Sequence, residues 1–163
     1  MINYDLEYAD NNFKGNLYSQ LPYNKIPADK INLFRSKYET TVDSVELSDG
    51  KNVVKANSVY FREALKTKKK TDIYLQGNNY EKIVINTKTK DAPQLLILKG
   101  SYANMLAIML APHYSKITLI DVNQLSSKGQ KLKDMVNLSD YDKILTAIDI
   151  NEFAQEGIFD CLE

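Results

Sequence analysis

One cysteine, one histidine and no tryptophan are the scarcities that mark this chain. A lone Cys161 excludes an internal disulfide and any zinc site built from several cysteines. Beside Phe159 and Leu162 it reads as a packed thiol. A lone His113 confines imidazole chemistry to one place, and the spacing of residues calls for no cofactor and no metal. Net charge is missing too, since 21 Lys and Arg balance 21 Asp and Glu. That argues against nucleic acid as a partner, while leaving room for a local basic patch. No apolar run reaches the roughly 18 residues that a membrane span needs. The opening MINYDLEYADNN is acidic and polar, unlike a secretory leader. If Met1 is the true start, the expected location is the cytoplasm.

Most of the information lies in Leu95 to Asp121, LLILKGSYANMLAIMLAPHYSKITLID. Leu95 to Leu98 form an apolar run of the length expected for a strand covered on both faces. Gly100 eases the turn, and Ser101 stands where a helix begins. Its hydroxyl is placed either to cap that helix or to face a ligand at the positive helix end. Ile117, Leu119 and Ile120 make a second strand closed by Asp121. The unit is βαβ, with a serine at the carboxyl end of its first strand, the edge where open α/β sheets bind ligands.

At 163 residues the chain suits a single α/β domain, 1–163. Residues 1–58 read as a loop-rich N-terminal part, and 59–163 as the α/β core. Tyr38, Thr40 and Val42 alternate as one face of a strand, SDGK at 48–51 signals a turn, and 52–55 return as a small hairpin beside the main sheet. VYFREALKTKKK reads as an amphipathic helix with a cationic end; Lys66, Lys68, Lys69 and Lys70 suit either a solvated helix terminus or an anion. Strands are expected at Asp72–Leu75 and Lys82–Asn86, a loop at VNQLSSKGQ, a short helix at QKLKDMVNL, a strand at ILTAI, and a closing helix interrupted near Gly157. The expected fold is an open, mostly parallel sheet flanked by helices, of SGNH or flavodoxin type and incomplete, after an irregular N-terminal segment. Eleven tyrosines suggest a polar, hydrogen-bonding surface of the kind carbohydrate-related proteins have.

Ser101 needs a base to act as a nucleophile. His113 follows it by 12 residues along a helix, a distance on the order of 15 Å at about 1.5 Å per residue. It therefore suits the helix-to-strand turn and not proton transfer. Donors for a developing oxyanion are easier to place: the Ser101 amide, with Gly77 and Asn78 or Asn79 at another strand end. Gly77, Asn78 and Asn104 make up the candidate oxyanion or ligand-binding set, with Ser101 at the nucleophile position. Asp121 and Asp149 end strands on the same side, as ligand contacts or as helix caps.

The serine block resembles that of the DHHW family, bacterial proteins similar to the SGNH hydrolase-like domains of alginate O-acetylation enzymes. The family's segment has Lys-Asp-Ser-Tyr-Ala-Asn, an apolar helix, a His-Tyr pair and a strand ending Asp-Leu-Arg-Tyr. FKGNLYS at Phe13–Ser19, IYLQGNN at Ile73–Asn79 and INEFAQE at Ile150–Glu156 follow the family's habits as well. The resemblance implies an SGNH-type fold, a serine nucleophile at Ser101, and work on cell-surface polysaccharide outside the cytoplasm.

The departures carry their own implication. The Asp-His-His-Trp motif that supplies the family's histidine and carboxylate has no counterpart here. Gly100 replaces the family's Asp, and Asp121, Val122, Asn123, Gln124 stand for Asp-Leu-Arg-Tyr. The expectation is a degenerate or truncated, inactive relative whose partner is a glycan or acylated small molecule. The alternative is a working serine esterase or O-acetyltransferase that uses Ser101 with a base from another chain or from a missing segment. Loss of a covering half would expose apolar sheet and favour a homodimer.

Overall fold

The computed structural model describes residues 4–15, 18, 25–36 and 42–163. Its strands are β1 Tyr4–Phe13, β2 Asp29–Ser36, β3 Val42–Ser48, β4 Val53–Ala56, β5 Lys82–Thr87, β6 Gln94–Lys99, β7 Lys116–Asp121 and β8 Lys143–Ala147. Its α-helices are α1 Ala103–Leu110, α2 Val122–Lys128, and the single turns α3 Leu132–Met135 and α4 Ile150–Phe153. No helix among the described residues is long and apolar enough to cross a membrane.

Six strands form one sheet in the order β4-β3-β5-β7-β6-β8. β6 pairs in parallel with β7 and with β8, as the βαβ pattern requires. The sheet is mixed and not mostly parallel, because β3, β4 and β5 run antiparallel to their neighbours and β5 runs antiparallel to β7. The hairpin from 42 to 56 is therefore the edge of the main sheet and not an appendage; the tight turn at 49–52 dictates an antiparallel return, and Val45 and Leu47 are apolar enough to be buried in the common core. Tyr38 and Thr40 lie outside the described residues.

Strand parity explains the layers. Leu95 and Ile97 of β6, with Ile117 and Leu119 of β7, point to one face, where Ala103, Ala107 and Ile108 of α1 cover them. Leu96, Leu98 and Ile120 point to the other, against Leu125 of α2, Leu132 of α3, Ile158 and Cys161. Each fully buried leucine or isoleucine contributes about 1.5–3 kcal/mol, so β6 and β7 are the mechanical centre of the molecule. Cys161 is a packed thiol as expected, and burial raises its pKa.

The described residues before 58 hold more regular structure than their composition suggests. β1 and β2 pair antiparallel and dock Ile31 and Leu33 onto Ile73. Tyrosines fasten this layer: Tyr60 donates to the Phe34 carbonyl at 2.8 Å, Tyr74 to Asn32 at 2.7 Å and Tyr4 to Met109 at 2.6 Å. Several tyrosine hydroxyls are thus spent inside the structure and not offered at its surface.

Four local expectations are corrected. The helix expected from residue 59 is two short 3-10 turns, Arg62–Lys66 and Lys70–Ile73, which also replace the strand expected at Asp72–Leu75. VNQLSSKGQ is helix, because the Asp121 side chain caps it at the Gln124 amide and Gly129 stops it with φ +62°. The closing helix shrinks to the one turn of α4 and a 3-10 turn at Asp160–Leu162, since Gly157 takes φ +75° between them.

Candidate functional site

β6 sends its connection, α1, to one face of the sheet, and β7 sends α2 to the other. Two adjacent parallel strands whose connections part in this way open a crevice at their carboxyl ends. Lys99, Gly100 and Ser101 stand there at the end of β6, and Asp121 at the end of β7.

Lys99 and Asp121 are register partners, and Lys99 Nζ lies 2.9 Å from Asp121 Oδ2. Both side chains are sealed, at 0% and 3% exposure. Lys99 also donates to Asn78 Oδ1 at 3.0 Å, while Gln124 Nε2 donates to the Asn78 carbonyl at 2.6 Å. The loop carrying Gly77 and Asn78 is thereby tied to both strand ends. That loop holds Leu75, Gln76 and Gly77 in left-handed backbone with φ of 52°, 57° and 66°. Asn104, buried in α1, donates its amide to the carbonyls of Tyr74 at 3.1 Å and Gly77 at 2.6 Å. Its own Oδ1 is buried and has no partner.

Ser101 neither caps α1 nor faces open solvent. Its hydroxyl donates to Glu152 Oε1, and its amide lies 3.0 Å from Oε1 and 3.3 Å from Oε2. Asn123 Nδ2 donates to the same carboxylate at 2.9 Å, and the Asp149 amide at 3.4 Å. Glu152 is only 7% exposed. A Cβ at Gly100 would overlap Glu152 Oε2, so this carboxylate fills the space a side chain at position 100 would need.

Glu152 went unnoticed in the sequence, although its signal was there. Asp149-Ile150-Asn151-Glu152 spells a capping box, with Asp149 accepting from the Asn151 and Glu152 amides and Glu152 reaching back to the Asp149 amide. Those amides, Glu152's first, hold the Asp149 carboxyl below its ordinary range. Asp121 and Asp149 are thus both helix caps.

A cavity of about 420 Å³ opens beside Ser101. Gly77, Asn78, Ser101 and Asn104 line it, so the crevice brings the four sequence-predicted residues together. Tyr102, 80% exposed, is a further wall, and Lys14, Lys68 and Lys69 stand around it. Of the lysine run, Lys66 pairs with Glu63 at 2.6 Å and Lys70 with Asp10 at 2.6 Å. His113 is exposed in the 3-10 turn Ala111–His113, beyond the far end of α1 from Ser101.

Fold and crevice together define an α/β protein with a serine at the switch point of its parallel strands. The same fold is found in a DHHW family protein from Eubacterium siraeum DSM 15702, with TM-score 0.75 and 16% identity over 97% of this chain. It is also found in Bacillus cereus PatB1, with TM-score 0.66 and 15% identity over 96% of this chain, and in PatB1 with a sulfonyl adduct, TM-score 0.71 and 15% identity over 95%. The resemblance to the DHHW family read from the serine block is therefore matched in the fold. The chain spans about half the length of these structures, 50% to 52%. No protein-family model matches it, and neither does any curated protein.

Proposed function

We propose that this chain is an SGNH hydrolase-like module of a cell-surface polysaccharide O-acylation or deacylation system, holding the nucleophile position at Ser101 but catalytically silent by itself. The observation that carries this reading is the partner of the Ser101 hydroxyl. Where a serine nucleophile needs a histidine, Ser101 donates to the Glu152 carboxylate, and the chain's one histidine lies beyond the far end of α1. A serine site without its base retains only modest residual rate enhancement.

The cavity supports a glycan as the ligand. Tyr102 offers an exposed aromatic wall, Asn78 and Asn79 add polar groups to the lining, and Lys68 and Lys69 supply positive charge. Treatment of the folded chain with a sulfonyl fluoride probe, beside a Ser101→Ala control, tests the proposal. Neither protein is expected to label. Labelling of the unmodified chain alone overturns silence and revives an active esterase or O-acetyltransferase.

A second reading, in which another chain supplies the base, has its own support. β8 is an edge strand of the sheet, with Ile144 52% exposed. Its end is bonded to the serine turn, as the Gly100 amide donates to the Ala147 carbonyl at 2.9 Å. A polypeptide paired along β8 would bring its loops beside Ser101.

A further inference from the structure

We infer that Glu152 is a resident ligand of the Ser101 site, closing from within a cradle built to bind a carboxylate or an acyl oxygen. The inference deepens the proposal above and rests on its placement of Ser101.

The cradle consists of four donors from three separate segments: the amide and hydroxyl of Ser101, the side-chain amide of Asn123, and the Asp149 backbone amide. All four are neutral, and no ion pair reaches Glu152 among the described residues. An acyl group carried on Ser101 Oγ would place its carbonyl oxygen within reach of the Ser101 amide, the nearest backbone donor to the reacting atom. Glu152 already takes that amide. A general base would accept the hydroxyl proton and leave the amide free for the oxyanion; Glu152 takes both, and so it blocks the serine and does not activate it.

Two features make the arrangement one of occupant and site. Gly100 leaves the volume that the carboxylate enters, since a Cβ there would overlap Glu152 Oε2. The turn that delivers Glu152 is short and partly exposed. α4 is only four residues long, and its Ile150 and Phe153 are 77% and 59% exposed. Moving this turn away would free the Ser101 and Asn123 donors without disturbing β6 or α1. A free carboxylate of the same chemistry should then take the vacant place.

The test is a titration with sodium acetate, against sodium chloride at equal ionic strength, followed through the Ser101 backbone amide by ¹H–¹⁵N NMR. In Glu152→Ala the Ser101 resonance is expected to leave its original position and to return towards it as acetate saturates the cradle, while chloride does nothing. The unmodified chain should not respond to acetate. Glu152→Gln keeps the packing volume and serves should the alanine variant not fold; it should shift the Ser101 amide and show acetate binding weakened by about tenfold or more, the loss expected where a filled site offers one charge-assisted bond fewer. A Ser101 amide indifferent to Glu152 replacement, or one that moves but ignores acetate, overturns the inference. The titration reads the cradle and the sulfonyl fluoride probe reads the nucleophile, so the two proposals fail separately.

Discussion

Lys99 Nζ and Asp121 Oδ2 meet at 2.9 Å with both side chains buried, at the point where two parallel strands end together. A buried ion pair is weak evidence for stability as a pair, but removing one partner strands the other. Asp121 also caps α2 at the Gln124 amide, a role that Asn can keep, so Asp121→Asn isolates the loss of charge. Asp121→Asn and Lys99→Met are each expected to cost about 3–5 kcal/mol. Urea unfolding monitored by circular dichroism measures this. A cost under about 1 kcal/mol, the range of an exposed pair, would show that water reaches Lys99.

Gly100 and Glu152 are coupled in the same quantitative sense. Gly100→Ala puts a methyl group where Glu152 Oε2 lies, and should destabilise the fold by about 1–3 kcal/mol through overpacking. Glu152→Ala removes the obstacle. In the double variant the methyl group should cost much less, giving a coupling energy of about 0.5–3 kcal/mol in a double-mutant cycle. Strict additivity would mean that the carboxylate does not sit against position 100.

How much of this was legible follows from the range of the forces involved. The run Leu95–Leu98 and the reach of Asp121 and Asp149 as possible caps are local matters of parity and side-chain chemistry, which the residues declare, although the helix that Asp121 caps reads as a loop. The direction of β5 is not local. KIVIN reads as a strand in either sense, and only its pairing with β7 makes the sheet mixed. The stretch around Tyr74 failed for a related reason. Its apolar residues Ile73 and Leu75 look like a strand, yet they are buried by docking onto two different partners, β2 and the main core, and Leu75 begins a left-handed turn. Ser101, Gly77, Asn78 and Asn104 were each named from sequence and do converge on one cavity. Glu152 was missed because 51 residues separate it from Ser101 and its capping role hid its second contact.

Asp49 ties the stability of the 49–52 turn to pH. The amides of Asn52 and Lys51, Asn52's first, hold its carboxyl down to about 2 in the folded chain, against roughly 3.9 when unfolded. A folded pKa below the unfolded one means stability present above about pH 4 and lost as pH falls through about 2. The difference in unfolding free energy between the natural chain and Asp49→Ala is expected to be constant from pH 7 to about 4 and to shrink below that. A difference that stays flat down to pH 2 would mean that the 49–52 turn does not favour the ionised carboxylate.

Charge at the cavity sets the last expectation. Lys66 and Lys70 are engaged by Glu63 and Asp10, whereas Lys68 and Lys69 line the cavity beside Ser101 together with Lys14. Among the described residues Asp72 is the one acidic side chain in that lining, and Asn79 Nδ2 already contacts it at 3.4 Å. An acidic oligosaccharide should therefore bind better than a neutral one of equal length, and the preference should fade as salt screens the lysines. Replacing Lys68 and Lys69 together by alanine should weaken the acidic ligand by about three- to tenfold, since exposed charges each contribute about 0.2–1 kcal/mol, and should leave the neutral ligand unaffected. Isothermal titration with a galacturonate hexamer and with cellohexaose at low and high salt makes the comparison. If both sugars lose affinity equally in the double variant, the lysines shape the cavity and do not select for charge. If neither loses affinity, saccharide binding lies elsewhere on the molecule.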